Sequence, residues 1–362
     1  MQKEIFIVRK STRQIIVGGV QIGGGAPIVI QSMTNTPTTD VEKTLAQIGR
    51  LKDAGCRIVR VTVPDEASAQ AFAEIRRQSP VPLVADIHFD YRLALAAIEA
   101  GADKIRINPG NIGSRERVKM VVDAARAAGI PIRVGVNAGS LEKAILERHG
   151  GPTPAALAES AVGYIRTMED LGFTDVILSI KASDIPTTVS ACRLLAAQTD
   201  IPQHIGITEA GTVRTGSIRS SVGLGLLLAD GIGDTLRVSL SGDPVEEIYV
   251  AKEILKSLGL IEGPLVIACP TCGRTQIGAI DLAEQVEKMV SGLDVPIKVA
   301  VMGCVVNGPG EAREADVGIA GGVGEGLIFM KGKSVEKVPE AQFLSRLKEY
   351  IDIVVAEKKR GA

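Results

Sequence analysis

Aromatic side chains are scarce in this chain: they make up 3% of its 362 residues, and tryptophan is absent. Acidic and basic residues nearly balance, so that the formal net charge is -1 at pH 7. Proteins that bind nucleic acids usually present a basic face and aromatic rings on which bases stack. The composition therefore argues against a nucleic-acid-binding function.

The sequence has no apolar run long enough to cross a bilayer, and its first residues lack the apolar segment of a signal peptide. Its five cysteines are an odd number, which is not typical of a secreted disulfide scaffold. These absences predict a cytoplasmic protein that does not bind membranes. Hydrophobic residues make up 45% of the chain, enough for a large core, and the length is typical of two domains.

Through residues 1–260, short segments rich in Val and Ile alternate with amphipathic helical segments. After a glycine-rich hairpin at 15–22, the predicted strands are 27–32, 57–63, 82–88, 104–108, 131–137, 175–181, 203–208 and 235–241. Predicted helices between them include 41–54, 91–100, 115–128, 154–171 and 244–258. Eight βα units in sequence predict a (β/α)8 TIM barrel over residues 1–260, with a doubly wound open sheet as the alternative.

Charged and polar residues stand at the ends of most predicted strands, often two apart and therefore on the same side of the strand. Barrel enzymes place their active sites at the C-terminal ends of the strands. Because arginine matches the oxygens of phosphate with paired hydrogen bonds, this recurrence predicts a phosphate or diphosphate ligand. The predicted binding residues are Arg60, Arg106, Asn108, Arg133, Asn137, Lys181, His204, Arg237, Ser239 and Ser241.

Two carboxylates at this predicted barrel mouth, Glu209 and Asp86, are candidates for proton transfer. Small neighbours leave Glu209 accessible, whereas Asp86 could equally balance a nearby arginine. Lys181 has a second interpretation as the Schiff-base lysine of a phosphosugar lyase or aldolase. We favour a phosphate contact for Lys181 because arginines are its predicted neighbours.

Residues 261–362 are predicted to form a small α+β domain. Its predicted elements are strands at 265–268 and 297–302, a glycine-rich β-region with tight turns at 318–332, and helices at 276–290 and 339–357. The two predicted strands each end just before a cysteine. We therefore expect this domain to carry a metal centre.

Three cysteines have the spacing of metal ligands: Cys269 and Cys272 form a Cys-Pro-Thr-Cys motif, and Cys304 follows after a helix-length gap. Three thiolates on a cubane iron–sulfur cluster leave one iron for a carboxylate, water or substrate. Glu311 lies shortly after Cys304 and could supply that carboxylate. A structural zinc site is the alternative, although the three histidines all lie far upstream.

The cysteine motifs Cys-Pro-Thr-Cys-Gly-Arg (269–274) and Cys-Val-Val-Asn-Gly-Pro-Gly-Glu (304–311) resemble those of the 4-hydroxy-3-methylbut-2-en-1-yl diphosphate synthase family. Further motifs that agree are Ile-Gln-Ser-Met-Thr-Asn-Thr (30–36), Ile-Arg-Ile-Asn-Pro-Gly (105–110), Gly-Ile-Thr-Glu-Ala-Gly (206–211) and Arg-Val-Ser-Leu-Ser-Gly-Asp-Pro (237–244). The resemblance covers essentially the whole chain and is to the common bacterial two-domain form.

This resemblance implies an oxidoreductase of the non-mevalonate isoprenoid pathway. The family reduces 2-C-methyl-D-erythritol 2,4-cyclodiphosphate by two electrons, opening its ring with loss of water to give 4-hydroxy-3-methylbut-2-enyl diphosphate. Reduced flavodoxin or ferredoxin supplies the electrons. The resemblance also implies a homodimer whose active site is shared between subunits.

The resemblance further assigns individual residues. It implies a [4Fe–4S] cluster held by Cys269, Cys272, Cys304 and Glu311, with Asn307 close to it. It also implies that Glu209 is the main proton donor, with support from Asp86 and from His88 or His204. The arginine-lined mouth would then hold the cyclic diphosphate.

Overall fold

The computed structural model describes residues 7–182, 184–304 and 313–361. The chain divides into two compact units, Met1–Leu260 and Ile261–Ala362. The first unit opens with an antiparallel hairpin of β1 (Ile15–Val17) and β2 (Val20–Ile22), as predicted. Eight parallel strands follow: β3 (Val29–Met33), β4 (Ile58–Thr62), β5 (Leu83–Asp86), β6 (Lys104–Ile107), β7 (Ile132–Asn137), β8 (Val176–Lys181), β9 (His204–Ile205) and β10 (Thr235–Leu236).

These eight strands form a closed barrel. Their order in the sheet is β8-β7-β6-β5-β4-β3-β10-β9. A parallel bridge between Leu178 of β8 and Gln203, just before β9, joins the two outer strands. The backbone N–H of Leu178 donates to the carbonyl of Pro202 at 3.0 Å. The predicted TIM barrel is thus confirmed, and the alternative of an open sheet is excluded.

Helices surround the barrel in alternation with the strands: α1 (Val41–Asp53), α2 (Glu66–Gln78), α3 (Tyr91–Glu99), α4 (Pro109–Ile112), α5 (Arg115–Ala128), α6 (Lys143–His149), α7 (Pro154–Asp170), α8 (Ile185–Gln198), α9 (Val213–Ala229) and α10 (Pro244–Ser257). Aspartates begin several of them: the side chains of Asp40, Asp65 and Asp184 accept hydrogen bonds from backbone N–H groups of the first turn. Gly129 ends α5 with φ +65°, a conformation that glycine adopts without strain.

The last two barrel strands are shorter than predicted, because each has two residues where the sequence indicated six or seven. Gly206, the residue after β9, is closely packed: a Cβ there would lie 2.5 Å from the carbonyl oxygen of Arg237. Three residues later the backbone turns through Glu209 at φ +52°. The chain therefore leaves the strand ladder early and forms the rim of the barrel mouth.

An apolar cluster closes the N-terminal end of the barrel. The hairpin supplies Ile15, Val17 and Ile22, which share a cluster with residues at the first or second position of four strands, namely Val29, Ile58, Val84 and Ile177. Burial of these branched side chains is the expected stabilising term for this end of the barrel.

The second unit is a five-stranded mixed sheet in the order β11-β12-β13-β14-β15. The strands are β11 (Leu265–Ala268), β12 (Lys298–Met302), β13 (Val317–Gly321), β14 (Glu325–Met330) and β15 (Lys333–Pro339); the first three are parallel and the others antiparallel. Helices α11 (Ala279–Val290) and α12 (Phe343–Gly361) share one apolar cluster with the sheet. This confirms the α+β prediction. The last helix begins later than predicted because Glu340–Gln342 form a 3-10 turn.

None of the helices described in the structure is long and apolar enough to span a membrane.

Candidate active site

A buried carboxylate lies among cations at the C-terminal ends of neighbouring strands. Asp86, the last residue of β5, is 2% exposed. Arg106 Nη1 lies 3.2 Å from Asp86 Oδ1, and Arg60 Nε lies 3.7 Å from Oδ2. His88 Nε2 lies 3.8 Å from the same oxygen. Burial opposes ionisation, but Arg60, Arg106 and Arg133 together hold the pKa of Asp86 below its usual value. This favours the interpretation of Asp86 as a counter-ion of the arginines.

A thioether that sequence analysis did not select lies between two of these arginines. Arg60 donates to Met33 Sδ from Nε at 3.1 Å and from Nη2 at 2.9 Å, and Arg237 Nη1 lies 3.5 Å from the same sulfur. Sulfur is a weak acceptor. Both guanidinium groups therefore retain donor capacity for an anion.

Arg237 is held by a second residue that the sequence did not reveal, Glu247 of α10. Arg237 donates from Nε to Glu247 Oε2 at 3.0 Å and from Nη2 to Oε1 at 2.9 Å. The same carboxylate accepts from Ser32 Oγ at 2.7 Å and from the backbone N–H of Leu240 at 3.1 Å. Four hydrogen bonds on a carboxylate that is 2% exposed fix the direction of the arginine.

Lys181 ends β8, opposite Asn137 of β7 in the strand register. Burial, reinforced by the charges of Arg60, Arg133 and Arg237, lowers the pKa of Lys181 well below its usual value. A Cβ added at Gly206 would lie 3.4 Å from Lys181 Nζ, so this glycine leaves room for the amine. An amine of low pKa beside arginines suits both a phosphate contact and the alternative Schiff base.

Two further predicted binding residues lie deeper. Arg133 and His204 are each 1% exposed, and Arg133 Nε and Nη1 have no protein partner among the described residues. Neither ring nitrogen of His204 has one in that part of the chain. Burial and the neighbouring cations lower the pKa of His204 well below its usual value, so the ring is neutral.

The asparagine and serine candidates are less uniform. Asn108 is 2% exposed, accepts from the backbone N–H of Gly110 at 3.1 Å and donates to Ser140 Oγ at 2.7 Å. Its side chain therefore caps the short helix α4. Ser239 is half-buried and Ser241 is exposed, and the backbone N–H of Ser241 donates to the carbonyl of Gly211 at 2.9 Å. This bond ties the segments that follow β9 and β10 together at the rim.

Glu209 lies on this rim with an exposed side chain. Its φ of +52° is a conformation that glycine tolerates and glutamate rarely adopts. Strained backbone of this kind is concentrated at functional sites. The geometry therefore singles out Glu209 among the carboxylates of the mouth.

In the second unit, the cysteines follow adjacent parallel strands. Ala268 at the end of β11 pairs with Val301 of β12, which places Cys269 and Cys304 just beyond neighbouring strand ends. Gly303 donates its backbone N–H to Cys269 Sγ at 3.1 Å. Cys272 is exposed, Cys269 is intermediate and Cys304 is buried.

Two predicted residues of this centre, Asn307 and Glu311, lie outside the described residues. Among the described residues, no group of three or more His, Cys, Asp or Glu side chains is arranged to hold a metal ion. Cys56 and Cys192 are buried in the barrel unit.

Comparison with protein families gives two matches in chain order. The GcpE TIM-barrel domain matches residues 12–252, and the GcpE protein C-terminal domain matches residues 265–353. The barrel fold also resembles that of a dihydropteroate synthase from Yersinia pestis, with a TM-score of 0.50 and 12% identity over 69% of this chain and 100% of that one. At this identity the likeness concerns the fold alone.

Curated relatives are similar over nearly the whole length. A 4-hydroxy-3-methylbut-2-en-1-yl diphosphate synthase (flavodoxin) from Geobacter sulfurreducens is 59% identical over 352 residues, which cover 97% of this chain and 100% of the relative. A protein of the same name from Brevibacillus brevis is 56% identical over 97% of this chain and 98% of its own length. The chain therefore belongs to the GcpE family, that of the 4-hydroxy-3-methylbut-2-en-1-yl diphosphate synthases, as its motifs predicted.

Proposed function

We propose that this chain catalyses the reductive ring opening and dehydration of 2-C-methyl-D-erythritol 2,4-cyclodiphosphate to 4-hydroxy-3-methylbut-2-enyl diphosphate. The observation that carries this proposal is the cationic barrel mouth, where Arg60, Arg106 and Arg133 lie around the buried carboxylate of Asp86. Such a site needs an anionic ligand to balance its charge. The names of the curated relatives support the same reaction.

The barrel unit binds the substrate. Arg60, Arg106 and Arg237 bind the diphosphate oxygens with donors that Met33 and the acidic partners leave free. Arg133 and Lys181 approach the ligand from the adjacent strands, and His204 lies beneath it. The rim is formed by Asn137, Ser239 and Ser241. Asn108 supports this rim from its cap position. Fixed cations in a site of low water access stabilise the negative charge that develops on phosphate oxygen as the ring opens.

The second unit carries a [4Fe–4S] cluster on Cys269, Cys272 and Cys304, with Glu311 as the fourth ligand and Asn307 nearby. Cysteine thiolates are the usual donors to such clusters, and the N–H of Gly303 directed at Cys269 Sγ is the type of hydrogen bond that stabilises a metal thiolate. When bound, the cluster supplies electrons and a site for a substrate oxygen. The chain's own contribution is to hold the diphosphate and deliver protons.

Glu209 delivers the proton that the departing water requires. It lies on the rim with its carboxylate exposed, and its backbone is held at positive φ. Asp86 remains the counter-ion of the arginines, with His88 beside it. Reduced flavodoxin or ferredoxin supplies the electrons, and the enzyme works in the cytoplasm as a homodimer with an active site shared between subunits.

The first test uses protein purified without oxygen. We expect about four irons and four sulfides per chain, and conversion of the cyclic diphosphate when reduced flavodoxin is present. Cys304→Ser should lose cluster and turnover together. Cys56→Ser is the matched control, because Cys56 is a buried cysteine of the barrel unit that donates to the carbonyl of Ile58 at 3.2 Å, a bond that serine can keep. One zinc per chain and no turnover in the wild type would reject the proposal.

A further inference from the structure

The middle of the barrel interior is polar, where TIM barrels usually pack branched apolar side chains. The side chains of this polar layer are all 1% exposed or less, and they are Gln31, Lys104, Arg133, His204 and Thr235. Each except Lys104 has at least one buried polar atom with no protein partner among the described residues. The layer lies directly beneath the cations of the mouth, because Lys104 precedes Arg106 by two residues on β6.

Lys104 is weakly compensated for its burial. Its side chain is 0% exposed, and Nζ donates to Gln31 Oε1 at 3.4 Å, a long hydrogen bond. In the described part of the chain, no carboxylate lies within ion-pair distance of Lys104 Nζ. An ammonium ion has three donors, and burying it with one long hydrogen bond carries a large penalty.

The charges that act on Lys104 from other strands are those of Arg133 and Arg60, and the charge of Lys104 in turn acts on His204. On its own strand it is followed by Arg106, whose charge is shared with Asp86. Burial first, and then the charges of Arg133 and Arg60, lower the pKa of Lys104 well below its usual value. Full burial with one long hydrogen bond thus favours the neutral amine over the ammonium ion in the free enzyme.

We propose that Lys104 takes up one proton from solvent when the dianionic ring binds at the mouth, so that an ammonium ion forms beneath the bound diphosphate. This inference rests on the proposed function. The two negative charges of the ligand offset the arginines that disfavour a charged lysine, and Gln31 Oε1 accepts from the new ammonium. Lys104 acts on the substrate through this layer and is a positioning residue.

Coupled proton uptake has a defined signature in binding. If one proton is taken up, the association constant falls by up to about tenfold for each pH unit of increase, between the pKa values of Lys104 in the free and bound enzyme. The sign follows because the bound state holds more protons than the free state. A lysine that only filled space would give no such slope.

The test is calorimetric titration of the cyclic diphosphate into oxygen-free holoenzyme, in buffers of different ionisation enthalpy at one pH near neutrality. We expect the observed binding enthalpy to increase linearly with the ionisation enthalpy of the buffer. The slope of this line, which is the number of protons taken up per ligand bound, should be near one. Lys104→Met, which keeps the length of the side chain, should bind more weakly by about tenfold and with a slope near zero. His204→Gln removes the imidazole of the polar layer and should keep the slope.

The outcomes separate the two proposals. Binding by the wild type with no dependence on the buffer, and with no fall in affinity as the pH rises, would overturn this inference alone, even if Lys104→Met fails to fold. A slope that disappears in His204→Gln but persists in Lys104→Met would also overturn it. No binding by the wild-type holoenzyme would overturn the proposed function, and the inference with it.

Discussion

Arg237 and Glu247 form a two-point ion pair in which the carboxylate is more deeply buried than the guanidinium: the side chain of Glu247 is 2% exposed and that of Arg237 is 15% exposed. The shortest N–O distance of the pair is 2.9 Å. The buried partner anchors the pair, and the remaining nitrogen of the guanidinium, Nη1, lies 3.5 Å from Met33 Sδ. Glu247 thus connects a surrounding helix to the site at which we propose the diphosphate binds.

Replacement of this anchor should weaken substrate binding. In Glu247→Gln the side chain keeps its size but loses its charge and one acceptor for Arg237. We expect KM to rise by about tenfold, equivalent to about 1.4 kcal/mol, with kcat changed much less. Steady-state kinetics under anaerobic conditions measure both values.

The adjacent residue provides the control. Glu246 lies on the same helix with an exposed side chain, and Glu246→Gln should leave KM unchanged. An unchanged KM in Glu247→Gln as well would show that Arg237 does not depend on this pair for its position.

Removal of the rim carboxylate should affect turnover and leave binding intact. In Glu209→Gln no side-chain proton is available for the departing water, and we expect kcat to fall by about 10²-fold or more. Iron content and calorimetric affinity for the cyclic diphosphate should stay near wild-type values. Glu99→Gln, at an exposed carboxylate at the end of α3, is the control. Full activity in Glu209→Gln would reject the role of Glu209 as proton donor.

The five cysteines should separate into two classes towards iodoacetamide in apoprotein freed of metal. Burial raises the pKa of Cys56 to about 11 and that of Cys192 to about 12. At pH 8 the thiolate of Cys56 is then about one part in a thousand, and only the thiolate reacts. We expect rapid alkylation of the exposed Cys272 and none of these two in the folded protein.

Peptide mapping by mass spectrometry after timed alkylation measures this difference. Loading the protein with iron and sulfide should then protect Cys272 from alkylation. Rapid modification of Cys56 or Cys192 under native conditions would contradict the buried positions assigned to them. Lack of protection of Cys272 after loading would instead contradict its role as a cluster ligand.

Local patterns were sufficient to predict the barrel. Each strand and helix is defined by the period of its apolar residues and by its caps, which depend on a few consecutive residues. The exceptions were β9 and β10, whose polar continuations look like strand but turn away after Gly206 and Leu236. Packing between distant segments ends these strands, and no local pattern carries that information.

The candidate site, too, could be predicted from the sequence only in part. The sequence by itself determined that cations recur at strand ends and that the cysteines have ligand spacing, because both are patterns along the chain. A careful application of the two-residue period would also have placed Lys104 on the same side of β6 as Arg106.

Only the tertiary structure decided which groups neutralise which. Ser32 and Glu247 are hydrogen-bonded across 215 positions of the chain, and Lys104 and Gln31 across 73. In the sequence Glu246 and Glu247 are two equal acids on one helix. The fold exposes the first and buries the second against Arg237, because the energy of a charge depends on the groups that burial brings around it and not on its neighbours along the chain.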